Sequence, residues 1–158
     1  MDKIKKSCHY QLAKYVMGYY FLILVLSPLS IRASSCTVST VSVNFGVYNV
    51  YTTTNTTSIG QVTVSCSPVN TPYTVALNGG LYGTIAQRKQ KISSGSDMLL
   101  YNLYSNASMT VLWGDGSTNG TTVASSNSTP LNVYGKLPSL QNISIGNYSD
   151  SVSVTVTF

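Results

Sequence analysis

The sequence predicts an all-β protein, built as an antiparallel sandwich or barrel, and three observations lead to this prediction. After the N-terminal region, apolar residues occur in short runs with turn residues between them, which is typical of many short strands. No segment of this region keeps the 3.6-residue period of an amphipathic helix. The last eight residues alternate strictly between apolar and hydroxyl side chains, as a half-buried β-strand does. Short strands at this spacing favour two packed sheets or a closed one.

The strands are predicted in order from these runs. Val41, Val43 and Phe45 mark the first strand. Further strands are predicted at 59–66, 72–77, 98–104, 109–113, 131–137 and 151–158, with a short addition at 47–51. The Ser-, Thr- and Asn-rich stretch 117–129 predicts a long surface loop.

The terminal strand raises a question of pairing. Val152, Val154, Val156 and Phe158 share one of its faces. A strand at the end of the sequence has to find its second neighbour elsewhere in the fold or on another molecule.

The N-terminus has the layout of a secretory signal peptide. A basic start, 2–6, precedes an apolar run at 19–26, and Ile31 and Ala33 suit the −3 and −1 positions of a cleavage site. The alternative is a retained membrane anchor, but the uncharged stretch 15–31 falls short of the ~20 residues of a span. We therefore predict a leader at 1–33 and a single domain at 34–158.

Removal of this leader changes the charge of the protein. The whole chain has a formal net charge of +5, but residues 34–158 keep only four cations and three carboxylates, a net charge of +1. The basic balance belongs to the leader and indicates no nucleic-acid partner. A surface with few charges suits a protein that associates with copies of itself.

The cysteine content also indicates an exported protein. Cys8 leaves with the leader, and Cys36 and Cys66 remain as an even pair. Such a pair in an exported chain predicts a disulfide.

The residues left in 34–158 do not favour catalysis. The only histidine, His9, lies in the leader, and the chain has no glutamate. No Ser-His-Asp arrangement, zinc site or cofactor motif is found. Asp97, Asp115 and Asp150 could in principle supply an acid and a base, as in glycosidases, but turn and strand-end roles explain them better. We predict that the protein is not an enzyme and needs no metal or cofactor.

Two further features have a functional and a structural interpretation. Trp113 could stack on a sugar, but a lone tryptophan at a strand end is more often a packing residue. The run 87–91, Gln-Arg-Lys-Gln-Lys, could contact an anionic surface, but is more often a solvated loop.

Several short motifs, taken in order, resemble one family. They are Asn-Phe-Gly-Val-Tyr at 44–48, Gly-Gln-Val-Thr-Val-Ser-Cys at 60–66, Leu-Asn-Gly-Gly at 77–80, Leu-Tyr-Asn-Leu-Tyr at 100–104, Trp-Gly-Asp-Gly at 113–116, Tyr-Gly-Lys-Leu at 134–137 and Gly-Asn-Tyr-Ser-Asp at 146–150. With both cysteines and the terminal strand, this order resembles the spore coat protein U family, which includes subunits of archaic, Csu-type chaperone–usher pili. The resemblance covers nearly all of 36–158.

The resemblance implies an immunoglobulin-like sandwich that lacks its last strand. In such subunits a periplasmic chaperone lends a strand, and at the outer-membrane usher a neighbouring subunit's N-terminal segment replaces it, which is strand addition at an open sheet edge. Cys36 and Cys66 match the family's disulfide. Strand 151–158 matches the strand beside the groove, which would put Val152, Val154, Val156 and Phe158 at the groove or in the core next to it. Transit through the periplasm to a surface fibre is implied, with other pilus subunits as partners.

One departure from the family concerns the donor segment. Subunits of the fibre shaft carry a donor of about ten or more residues before the first cysteine. Cleavage after Ala33 leaves only Ser34 and Ser35 before Cys36. We therefore expect a subunit that accepts a strand but donates none, at or near a fibre tip, serving adhesion or biofilm formation. The alternatives are a module that binds a host or abiotic surface or a glycan, and a secreted coat protein assembled without an usher.

Overall fold

The computed structural model describes residues 33–117 and 119–158, and every regular element in them is a β-strand. The strands are β1 (Ser35–Val41), β2 (Thr56–Ser67), β3 (Tyr73–Leu77), β4 (Arg88–Ile92), β5 (Met98–Tyr104), β6 (Val123–Ser125), β7 (Leu131–Leu137), β8 (Tyr148–Ser149) and β9 (Val154–Thr157). In this part of the chain no helix has the length and hydropathy that crossing a membrane requires. Residues 1–32 lie outside the described residues, so the leader and its cleavage after Ala33 stay predictions.

The strands form two antiparallel sheets around one core. The larger sheet has the order β1-β2-β7-β5-β4-β8 and the smaller β6-β3-β9. Both sheets contribute to the core, whose buried members are Val62, Val64, Tyr73, Val75, Leu77, Leu99, Tyr101, Leu103, Trp113, Val133 and Leu137. The predicted all-β antiparallel fold is confirmed.

Period-two alternation decides which residues enter this core. In β3, Tyr73, Val75 and Leu77 are buried, and the two residues between them are only half-buried. Successive side chains of a strand point to opposite faces, so one face packs and the other meets solvent. The predicted strands at 59–66, 72–77, 98–104 and 131–137 correspond to β2, β3, β5 and β7.

The prediction of a solvated loop at 87–91 is wrong, because Arg88–Ile92 forms β4. The alternation is present in this strand, but Arg88, which is 0% exposed, occupies a core-facing position. Charged side chains are almost never fully buried without partners. Because a charged residue takes one of the buried positions, a pattern of alternating apolar residues does not identify this strand.

The strand predicted at 109–113 does not form. Met109 has a φ of 52°, in the left-handed region. The side-chain oxygen of Asn106 accepts hydrogen bonds from the backbone N–H groups of Thr110 and Val111, at 3.1 and 3.0 Å. This local hydrogen bonding turns the chain, as asparagine commonly does.

Other boundaries also differ from the prediction. No strand is described at 47–51, and the predicted loop 117–129 contains β6. The first strand begins at Ser35, and the terminal strand covers four residues rather than eight. Edge strands lack a second partner that would hold their ends in the ladder, so their limits are poorly marked by sequence.

The disulfide between Cys36 and Cys66 joins two directly paired residues of β1 and β2. The bond confirms the predicted pairing.

Replacing both cysteines with serine is expected to lower the free energy of unfolding by about 3.5 kcal/mol, because the cross-link closes a loop across 30 positions. Urea unfolding without reductant measures the loss. Ser65→Ala, which leaves the cross-link intact, is the matched control. A double variant as stable as the control would contradict the expectation.

Candidate functional site

Two open strand edges, one on each sheet, border a common groove. Among the described residues, β9 pairs only with β3 and β1 only with β2. A cavity of about 180 Å³ lies between 40–45 on one side and 150–154 on the other. Its core-side lining includes Val62, Leu77, Leu103 and Val133. An open edge presents unpaired backbone N–H and C=O groups, so this groove has both apolar and hydrogen-bonding surfaces.

The terminal strand forms one wall of the groove. In the register of β9 with β3, Val154 and Val156 stand opposite buried side chains, so they face the core. Val152 shares this face, and all three valines are half-buried, whereas Phe158 is 54% exposed. The structure therefore places Val154 and Val156 on one face of β9, whereas Val152 and Phe158 lie just outside the bounds of this strand. Their role in accepting another strand stays a prediction.

β1 forms the opposite wall. Val38 pairs with Val64, and directly paired residues share a face of the sheet. Val64 is 0% exposed, whereas 46% of Val38 remains exposed on the same core-facing side. The core-facing side of the larger sheet is therefore covered at β2 and exposed to solvent at β1.

Beyond β1 the chain crosses the inner face of the larger sheet. Val43 and Phe45 pack there over two glycines, and the Phe45 ring meets Tyr101 edge-on at 5.9 Å. A methyl group at Gly60 would lie 2.8 Å from Val43 Cγ2, and one at Gly135 would lie 2.5 Å from Val43 Cγ1. The two glycines therefore make room for this crossing.

The groove continues into a wider cavity of about 600 Å³ between 42–50 and 143–150. Leu99 and Leu137 contribute apolar surface to it. Five residues line both cavities: Ser42, Val43, Phe45, Gln90 and Asp150. The hydrogen bonds between backbone groups of loops include none from 42–47 in the described structure. This wall of the groove is held by side-chain packing.

Asp150 lies where the two cavities join, and its oxygens support the backbone. Oδ1 accepts hydrogen bonds from the N–H groups of Leu81 and Ser151, both at 2.8 Å, and Oδ2 accepts one from the Tyr101 hydroxyl at 2.7 Å. Burial, with the hydrogen bond to Asp150, raises the pKa of Tyr101, so the phenol stays protonated and remains a donor. Asp150 therefore joins the turn after β3 to β5.

The other two carboxylates also hold loops. Asp97 Oδ2 accepts a hydrogen bond from the Ser144 N–H at 2.8 Å, and Asp115 Oδ1 accepts one from the Ser117 N–H at 2.9 Å. No group of three or more His, Cys or Asp side chains placed to hold a metal ion occurs in the ranges that the structure describes. These contacts favour the structural interpretation of the three aspartates.

Arg88 and Trp113 form a buried polar cluster that apolar patterning does not reveal. The guanidinium donates to the carbonyls of Asn78 and Trp113 and to Asn102 Oδ1, at 2.7 to 2.9 Å. The Trp113 indole, 0% exposed, donates to the Val75 carbonyl at 3.0 Å. Burial lowers the pKa of Arg88. Trp113 is a core residue, which agrees with the packing interpretation and leaves no ring face for a sugar.

The order of the motifs, the disulfide and the two-sheet fold all point to the same group of proteins. The family model of the Spore Coat Protein U domain matches residues 23–155. The chain belongs to this family.

Two relatives support the assignment of this Spore Coat Protein U domain. Protein U of Myxococcus xanthus is 28% identical over 129 residues, 74% of this chain and 72% of its own. The crystal structure of the CsuC–CsuE chaperone–tip adhesion subunit pre-assembly complex, from archaic chaperone–usher Csu pili of Acinetobacter baumannii, matches with 28% identity and a TM-score of 0.55. That match covers 80% of this chain and 40% of the other. The E. coli Hda pilus minor tip subunit HdaB aligns at 16% identity and a TM-score of 0.44, over 76% of this chain and 79% of its own.

The sequence pattern of this Spore Coat Protein U domain predicts one wall of the groove but not the other. The period-two pattern identified the valines of β9. Val43 and Phe45 were assigned to a strand that instead ends at Val41. The two glycines beneath them, Gly60 in β2 and Gly135 in β7, were the available signal, since a glycine within a strand marks close approach by another segment.

A pH effect is expected at the wide end of the groove. Hydrogen bonds from the Ser144 side chain and backbone hold the pKa of Asp97 below its ordinary value of 3.8. A carboxylate with a lowered pKa stabilises the folded state above its unfolded-state pKa, and this stabilisation is lost as the pH falls through the folded-state value. We expect the Ser144 amide resonance to shift in NMR spectra below about pH 4. Asp97→Asn should abolish this shift, whereas Asp115→Asn should not. A shift that persists in Asp97→Asn would contradict the assignment.

Proposed function

We propose that the protein is a subunit of a surface fibre of the chaperone–usher class, and that its groove accepts an extended strand from another molecule. The observation that carries this proposal is the groove between the open edges of β1 and β9, whose lining includes Val41, Val152 and Val154. Val38 of β1 and Phe158, which follows β9, are 46% and 54% exposed. Family membership and the likeness to the Csu subunit complex support the proposal. The chain spans 40% of that solved chain, so its own partners belong to the proposal.

An added strand would pair with the free backbone groups of the groove and cover its apolar surface. Its backbone would pair with the open edges, and its alternate side chains would cover the half-exposed valines of β9. Each Å² of apolar surface removed from water contributes about 25 cal/mol. We infer that the isolated domain is incomplete and that a donor strand completes the sandwich.

The shape of the groove restricts the donor. The narrow cavity of about 180 Å³ lies among valines and leucines and suits small aliphatic side chains. The cavity of about 600 Å³ at the other end has room for a large apolar side chain. The fitting donor is an alternating segment of about ten residues, since strands rise about 3.3 Å per residue.

A thermal melt of the exported, oxidised protein, purified without a chaperone, tests the proposal. We expect a low or broad transition with aggregation, which an alternating donor peptide sharpens and raises. A peptide of the same composition with its alternation scrambled is the control. A cooperative, high melt of a monomer that ignores both peptides would overturn the proposal.

The acceptor-only role at a fibre tip depends on the predicted cleavage after Ala33. Cleavage there leaves Ser34 and Ser35 before Cys36, and β1 already begins at Ser35. Mass spectrometry of the exported protein tests the cleavage site. A mature chain with ten or more residues before Cys36 would contradict this role.

The proposal includes the route of the protein and its partners. The subunit would cross the inner membrane, meet a periplasmic chaperone and an outer-membrane usher, and join other subunits at the cell surface. Adhesion to a host or abiotic surface, and biofilm formation, would follow from a tip position. The description of the family as a spore coat domain favours a second candidate, a secreted coat protein assembled without an usher. A stable monomer in the melt would support that candidate.

A further inference from the structure

The outer face of the larger sheet carries three lysines. In β4, Arg88 and Ile92 are buried, so alternation directs Lys89 and Lys91 to the opposite, outer face. In β7, Lys136 lies between two buried residues and points outward for the same reason. Only β5 separates β4 from β7. We call Lys89, Lys91 and Lys136 the basic face.

The basic face holds all the accessible side-chain cations of residues 34–158. The fourth cation, Arg88, is 0% exposed and is engaged by carbonyl groups. The three carboxylates accept hydrogen bonds from loop N–H groups instead. A domain with a small net charge therefore concentrates its positive charge on one surface.

Aromatic rings position two of these lysines. Lys136 Nζ lies 4.9 Å from the centre of the Tyr104 ring, and Lys91 Nζ lies 5.8 Å from that of Tyr82. Cation–π contacts at these distances are attractive and limit the freedom of the ammonium groups. Groups that are already ordered lose less entropy when a ligand binds.

Neutral hydrogen-bonding groups lie on the same outer face. Gln61 Nε2 donates to Asn132 Oδ1 at 3.2 Å, and Asn132 Nδ2 donates to the Tyr134 hydroxyl at 3.4 Å. Tyr134 pairs directly with Tyr104, beside Lys136. The surface thus offers ammonium, amide and phenol groups together, a combination that suits carboxylates and sugar hydroxyls.

We propose that the basic face binds an anionic polysaccharide that carries carboxylates on its sugars. The charges are widely spaced, since β4 and β7 are about 10 Å apart and Lys89 and Lys91 about 7 Å apart along one strand. DNA, in contrast, carries one negative charge per about 1.7 Å of its axis. Anionic membranes are recognised by clusters of about four to eight basic residues, more than this face has. The spacing favours a polymer of lower charge density.

Binding to immobilised polygalacturonate tests the proposal. The exported protein is used as recovered, with any strand donor that copurifies. We expect the triple variant Lys89→Gln, Lys91→Gln, Lys136→Gln to bind at least tenfold more weakly, with an unchanged thermal melt. The triple Lys→Arg variant, which keeps the charge, should retain binding within about threefold. Fully methyl-esterified polygalacturonate, the matched neutral polymer, should not bind.

Three results would overturn this assignment. The first is no binding of the unsubstituted protein to polygalacturonate. The second is equal binding of the Gln and Arg triple variants. The third is tighter binding to duplex DNA or to vesicles that contain phosphatidylserine, which would assign the face to those ligands.

Discussion

Arg88→Met is expected to lower the free energy of unfolding by about 3–5 kcal/mol, since it leaves several buried acceptors without a donor. The guanidinium donates hydrogen bonds to the Asn78 and Trp113 carbonyls and to Asn102 Oδ1. These acceptors belong to three separate segments of the chain, and methionine fills the volume without bonding to any of them. Urea unfolding of the oxidised protein measures the loss.

Two further variants separate the hydrogen-bonding role of Arg88 from its charge. Arg88→Lys keeps a cation but cannot reach all three acceptors, so an intermediate loss is expected. Lys89→Met, one position along on the outer face, should change stability by no more than about 0.5 kcal/mol. An Arg88→Met protein as stable as Lys89→Met would show that the buried acceptors find other partners.

Val154→Asp is expected to weaken donor-peptide binding at least a hundredfold. Val154 faces the groove, and a bound strand would enclose the new carboxylate in an apolar site, at a cost of several kcal/mol. Each 1.4 kcal/mol corresponds to about a factor of ten in affinity. Fluorescence titration with a labelled donor peptide measures the change.

Thr155→Asp is the matched control for this variant. Thr155 is the next residue of β9 and is exposed on the opposite face. The same charge there should leave peptide binding within about threefold, because it stays in water. Equal binding by the two variants would contradict the placement of the strand in this groove.

The parts of the fold that the sequence predicted are those where hydrophobicity alternates. β3 and the inward valines of β9 follow from that pattern, and the even pair of cysteines predicted the disulfide. β4 was missed because Arg88 takes a core position through hydrogen bonds that form only in the folded protein. The 109–113 segment was misassigned because its apolar residues resemble a strand, whereas Asn106 turns the backbone.

The groove could be predicted only in part, for a similar reason. The valines of β9 mark one wall, but the other wall depends on the distant glycines Gly60 and Gly135, which accommodate Val43. Contacts between segments so far apart in sequence do not produce a periodic pattern of residues in either segment. Likewise, the outward direction of Lys89 and Lys91 could not be predicted from the sequence, because it depends on β4 being a strand.

The disulfide has a consequence for the motion of the groove wall. Cys36 ties the first part of β1 to β2, whereas the other end of the strand runs into 42–47, for which the described structure has no backbone hydrogen bonds to the surrounding loops. We therefore expect thermal fraying of β1 to begin at Val41 and to stop at the cross-link. Amide hydrogens near Val41 should then exchange with solvent sooner than those near Cys36, because the disulfide limits how far this wall of the groove can open.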